Sequence, residues 1–182
     1  MRCILALIVL FSGLGCTSDV QPKPMGYLRL EYPSAEYLNY DKLSGFSFEY
    51  NANAQVKGIS QITPRLVYPE MKATLYLNYV DINNNLDSLL NDAYKLPYKH
   101  ISKAESIPEK VFINDKSKVY GTLFSVVGNA ASQHQFFLTD STNHFLVGSL
   151  YFYARPNFDS IYPATVYLQK DIIHLMETLN WK

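Results

Sequence analysis

From Gly26 onward, runs rich in aromatic and β-branched residues alternate with clusters of Asn, Asp, Ser and Gly. That rhythm predicts strands separated by tight turns. The runs are Tyr27–Tyr32, Gly45–Tyr50, Gln55–Ser60, Lys72–Val80, Lys110–Asn114, Val119–Val127, Gln133–Thr139 and Phe145–Ala154. Phe46, Phe48 and Tyr50 oppose Ser47 and Glu49, the period-two signature of a strand with one buried face. In Val119–Val127 and Phe145–Tyr153 both alternate sets are largely apolar, which asks for cover on two faces. Two stretches of helical period supply it. The first follows Asn83-Asn84-Asn85 and turns Leu86, Leu89, Leu90, Ala93 and Leu96 inward, with Pro97 expected to kink or end it. The second begins near Asp159 or Ser160, takes Pro163 in its first turn, and aligns Ile161, Thr165, Leu168, Ile172, Leu175 and Leu179. Turn signals at Asn114-Asp115-Lys116-Ser117 and Asp140-Ser141-Thr142-Asn143 join neighbouring runs as hairpins. The expected class is therefore α+β, a mainly antiparallel β-sheet flanked by two helices.

The first residues follow a different rule. Met1-Arg2 gives one positive charge, and Cys3 to Leu14 is an apolar run shorter than the roughly 20 residues a spanning helix needs. Small residues lead to Cys16, the arrangement of a bacterial lipoprotein signal whose cleavage leaves an acylated cysteine. We therefore expect a signal peptide over 1–15, a lipidated tether over 16–25 ending in Pro22-Lys23-Pro24, and a single α+β domain over 26–182. Three acyl chains, at about 0.8 kcal/mol for each inserted CH₂, would hold such a chain at a bilayer. The two cysteines are then both accounted for, which removes disulfides, thiolate metal sites and thiol nucleophiles from consideration. Sixteen basic residues balance sixteen acidic ones, so no net field favours nucleic acid as a partner.

Catalytic chemistry has little to build on. Ser132, His134, Asp140 and His144 lie near one another in sequence, yet no Gly-x-Ser-x-Gly turn surrounds the serine, which is expected one residue before a strand. The two histidines are expected at strand ends. The four histidines, at 100, 134, 144 and 174, form no His-x-x-x-His pair, and a metal site would have to borrow His174 or Asp171 from the last helix. No glycine-rich phosphate loop is present. We expect no catalytic residue, metal or cofactor. Recognition is better supplied. Tyr27, Arg29, Tyr32, Tyr37 and Tyr40 form an aromatic stretch suited either to an interface or to an edge strand packed on the sheet. Arg155 would serve a partner's carboxylate or an internal ion pair, and Trp181 would lie as a lid on the core. If the domain bound a small molecule or peptide, the ligand would sit between sheet and helix near Asn129, Gln135, His144 and Arg155.

Two resemblances sharpen these expectations. The order of elements, opening on Phe46-Ser47-Phe48-Glu49-Tyr50 and closing on a long amphipathic helix, resembles the PsbP-like sandwich. The runs Lys23-Pro-Met-Gly-Tyr-Leu-Arg, Ala73-Thr-Leu-Tyr-Leu-Asn-Tyr, Gly128-Asn-Ala-Ala-Ser, Gln135-Phe-Phe-Leu-Thr-Asp-Ser, Arg155-Pro-Asn and Asp171-Ile-Ile-His-Leu resemble the gliding motility lipoprotein GldD family of Bacteroidetes. That resemblance implies a cell-envelope lipoprotein required for gliding and associated with type IX secretion, and it carries over no catalytic residue. Together these readings lead us to expect a non-enzymatic component, anchored to the outer membrane through acylated Cys16 and facing the periplasm. Its partners would be the bilayer and other gliding and secretion envelope proteins. The alternative is a periplasmic small-molecule or peptide-binding module.

Overall fold

Residues 31–43, 45–58, 64–154 and 157–182 are described by the computed structural model. In chain order they form β1 (Tyr37–Tyr40), β2 (Phe46–Asn51), β3 (Gln55–Gly58), β4 (Pro64–Tyr68), β5 (Ala73–Asp81) and α1 (Leu86–Tyr98). A 3-10 turn (Ile101–Lys103) leads to β6 (Ala104–Ser106), β7 (Glu109–Asn114), β8 (Val119–Ser125) and β9 (Val127–Gly128). The last elements are β10 (Ser132–Thr139), β11 (His144–Phe152), α2 (Phe158–Thr178) and β12 (Asn180–Trp181). Seven strands pair antiparallel in the order β3-β4-β5-β11-β10-β8-β7, a smaller sheet runs β1-β2-β12, and β6 pairs with β9.

The large sheet is the middle layer. Strand alternation sends Leu66, Leu75, Leu77, Leu123, Phe136, Leu138, Leu146 and Leu150 to one face. There they meet Phe46 and Phe48 of β2 and the α2 stripe Leu168, Ile172, Leu175, Met176 and Leu179. The intervening residues Phe124, Phe137 and Phe145 point to the other face and pack on Ala93 of α1, with Leu86, Leu89 and Leu90 around them. Phe137 and Phe145 stack with centroids 5.7 Å apart. All eight residues of β10 are buried, as two-sided cover requires. The fold is thus the expected α+β arrangement, a mainly antiparallel sheet with a helix on each side. Gly148 shows how tightly the middle layer is filled: a Cβ there would lie 2.1 Å from the Phe136 ring that crosses it.

Several local expectations change. Of the strand expected at 27–32, only Glu31 and Tyr32 are described, and neither is in a strand. The aromatic stretch instead places β1 at Tyr37–Tyr40, an edge strand on β2. β4 was hidden by Pro64 at its start, a position where a strand tolerates the missing donor. β6, β9 and β12 are two or three residues long, too short for periodicity to show. Ser132 is the first residue of β10 rather than preceding it, and His134 lies inside that strand, only 3% exposed, rather than at a strand end. Pro97 does close α1, which runs one residue beyond it. The helix caps depart from the local rule. Asn85 is at the α1 N-cap, but its Oδ1 accepts the Asn83 N–H at 2.8 Å and makes no cap bond. α2 begins at Phe158, so Pro163 lies beyond the first turn. Its first N–H is taken by Asn129 Oδ1 at 2.8 Å, from the turn between β9 and β10.

Candidate functional site

Of the residues singled out for recognition, Cys16, Tyr27, Arg29 and Arg155 lie outside the described residues. The other three are not brought together. Asn129 is exposed and serves the α2 N-terminus. Gln135 belongs to the β10 set that faces α1 and is 2% exposed, with both amide atoms unpartnered. His144, at the start of β11, shares the α2-facing set with Leu146 and Leu150. Its Nδ1 lies 2.7 Å from the Tyr79 hydroxyl, and its ring stacks on Trp181 at 5.2 Å. Gln135 and His144 therefore sit on opposite faces of one sheet. Trp181 also meets Phe46 edge-on and donates Nε1–H to the Lys118 carbonyl at 3.1 Å, which makes it the lid over that end of the core.

Ser132 is fully buried and donates its hydroxyl to the Leu150 carbonyl at 2.9 Å. A hydroxyl occupied by main chain and closed to solvent has no route to a substrate carbonyl. The hydroxyl beside His134 is that of Ser125, 3.2 Å from Nδ1, while Nε2 faces the Thr165 carbonyl at 3.3 Å. A carbonyl can only accept, so Nε2 carries the proton and Nδ1 accepts from Ser125, whose oxygen in turn accepts from Gln169 at 3.1 Å. Burial holds the imidazole neutral, lowering its pKa to about 4. This chain of hydrogen bonds ties α2 to the middle sheet and exposes no reactive atom.

A second polar cluster was not anticipated as a unit. Asp171, on the inner face of α2 and 6% exposed, accepts from the Tyr37 hydroxyl at 3.1 Å and from Asn51 Nδ2 at 2.9 Å. Tyr68 of β4 reaches the same carboxyl. Asn51 Nδ2 also donates to Tyr167, whose hydroxyl donates to the Pro33 carbonyl. One turn along α2, His174 stacks on Tyr37 at 3.5 Å and contacts Glu49 at 2.7 Å. Desolvation is the largest influence on Asp171 and raises its pKa, against the lowering effect of its hydrogen bonds. No sequence motif marks this cluster, because its members come from four elements, β1, β2, β4 and α2, and meet only in the fold.

Beside it opens a groove of about 770 Å³, lined by Tyr32, Asn53, Tyr68, Glu70, Phe152 and Ile161 among others. Tyr68 contributes to both features. The groove carries polar and apolar walls but, among the described residues, no convergent set of acid, base and nucleophile. Among the described residues, no three His, Cys, Asp or Glu side chains are grouped as metal ligands require.

The model of the family described as gliding motility lipoprotein GldD matches residues 17–181. The chain belongs to this family. No curated protein matches it. As a GldD-family lipoprotein it is a membrane-anchored protein of the cell envelope that serves gliding motility. No described helix is long and apolar enough to cross a membrane.

Proposed function

We propose that the protein is a non-enzymatic docking component of the gliding and type IX secretion apparatus, fastened to the periplasmic face of the outer membrane by acylated Cys16. The observation that carries the docking role is an apolar surface at the β7 edge of the large sheet. Val111 and Ile113 are 67% and 66% exposed on this last strand. Beside them lie two tyrosines of α1: Tyr94, 3.4 Å from Thr122, the β8 partner of Val111, and Tyr98, which donates to Glu109 at 2.9 Å. Exposed aliphatic and tyrosine side chains around a strand edge that no described strand pairs are the features that protein partners use. A tether raises effective concentration toward the millimolar range, so a modest interface suffices for assembly.

The test is a photocrosslinking residue placed at Val111 or Ile113 in cells, with Asn39 as control site. Crosslinks to envelope motility proteins from the β7 positions alone support the reading. An absence of adducts at 111 and 113 in gliding cells would remove it. A second reading, a periplasmic module for a small molecule or peptide, is favoured by the groove at Tyr68. Mobility changes confined to that groove when periplasmic extract is added, followed by fluorine NMR on labelled Phe152, would give it precedence.

A further inference from the structure

The sheet face that carries α1 is only half covered by it. α1 packs on Phe124, Phe137 and Phe145, toward β8, β10 and the start of β11. On the other half, one rung of cross-strand pairs runs Lys57, Arg65, Tyr76 and Ser149 across β3, β4, β5 and β11, and continues to Gln135 of β10, whose other neighbour, Phe124, lies under α1. Opposed residues in an antiparallel sheet project to the same side, so these five side chains share a face spanning about 19 Å at about 4.8 Å per strand. The next rung adds Val67, Thr74 and Tyr151. Tyr76, Tyr151 and Tyr153 are 38%, 37% and 66% exposed. Tyr76 and Tyr151 meet edge to face at 5.8 Å, and the hydroxyls of Tyr76 and Tyr153 are 3.0 Å apart.

Two properties of this half-face point to one ligand chemistry. It is cationic: the positions that β3, β4, β5 and β11 contribute to it include Lys57 and Arg65 and no carboxylate, and neither cation is in an ion pair among the described residues. Its exposed members are tyrosines and a lysine rather than aliphatics, unlike the Val111 and Ile113 surface at the far edge of the same sheet. Tyrosine rings and hydroxyls beside a guanidinium and an ammonium group match a ring with apolar C–H faces, hydroxyls and a carboxylate. We propose that this half-face binds an anionic glycan, a polymer of uronic-acid or similarly acidic sugars, at a site separate from the β7 docking edge.

The test uses the full-length lipoprotein in zwitterionic nanodiscs, titrated by calorimetry with polygalacturonate oligosaccharides. Uncharged malto-oligosaccharides and poly-L-glutamate serve as comparison probes. Binding of the uronate oligomer that weakens with salt, and that falls about tenfold in Tyr76→Ala and in Arg65→Gln, supports the site, a tenfold loss corresponding to about 1.4 kcal/mol. Lys57→Gln, at an exposed position, keeps the test decisive if either of those variants unfolds, and it should weaken binding with an unchanged melting temperature. No heat of binding at millimolar oligosaccharide overturns the proposal. So does equal affinity for malto-oligosaccharide, and so does equal affinity for poly-L-glutamate, which would make the face a docking surface for acidic protein.

Discussion

His134 gives the sharpest handle on how α2 is held to the sheet. Its imidazole is neutral in the fold because burial drives its pKa from 6.5 to about 4. Once unfolded it titrates near 6.5, so between these two values the unfolded chain binds more protons and acid favours unfolding. The contribution is fully present above pH 6.5 and is lost as pH falls through that interval, reaching about 3 kcal/mol at about 1.4 kcal/mol per pH unit. Burial lowers the His100 pKa as well, which acts in the same direction. Asp171 opposes both, because a carboxyl with a raised pKa gains stability from the folded state as pH falls. The His134 share is therefore isolated as a difference. Urea unfolding of the parent and of His134→Leu is followed by tyrosine fluorescence at intervals from pH 7.5 to 4.5. The variant should be less stable at neutral pH by about 1–3 kcal/mol, since Ser125 and the Thr165 carbonyl lose a partner. Its stability should fall more slowly with acid, so the two curves converge below pH 5. Parallel curves across this range would show that the imidazole is not held neutral, and the assigned hydrogen-bond directions would be wrong with it.

Other outcomes follow from particular contacts. Gly148→Ala should cost about 1–3 kcal/mol in urea unfolding, because its methyl meets the Phe136 ring, and Phe136→Leu in the same chain should recover part of that loss. Asp171→Ala should cost about 1–3 kcal/mol by leaving Tyr37 and Asn51 without an acceptor, and coupling of less than a few tenths between Asp171→Ala and Tyr37→Phe would contradict the network. Asn129→Ala removes the acceptor at the first N–H of α2 and should lower stability by about 1 kcal/mol, with hydrogen exchange rising at Phe158 before it rises mid-helix. Cys16→Ser should abolish incorporation of labelled palmitate and shift the protein from the membrane to the soluble fraction.

Much of the architecture could be read from residue spacing. The apolar sets of β8, β10 and β11 on both faces demanded two covers, and the stripes of α1 and α2 supplied them. What stayed illegible obeys no local period. β12 pairs with β2 through Asn180 and Ser47, a contact set by where α2 ends. The cap of α2 comes from Asn129 and not from Asn157, so a local capping rule finds the right residue type at the wrong position. Asn129, Gln135 and His144 looked like one site because they flank the same pair of strands. Strand parity and the length of β11 separate them. The Asp171 cluster draws Tyr37 and Asn51 from positions 134 and 120 residues away, and the tyrosine half-face is assembled across five strands.

The place of β2 has a kinetic consequence. This strand lines the principal core, yet its neighbours are β1 on one edge and β12 on the other, with Phe46 paired to Trp181. Closing so long a loop is entropically slow, and the return arrives only after α2 has formed and docked. A chain that emerges from its N-terminus leaves its sheet leucines uncovered until the segment beyond Phe158 follows. A holdase that shields this surface should raise the yield of folded protein far more than it alters the stability of the finished one.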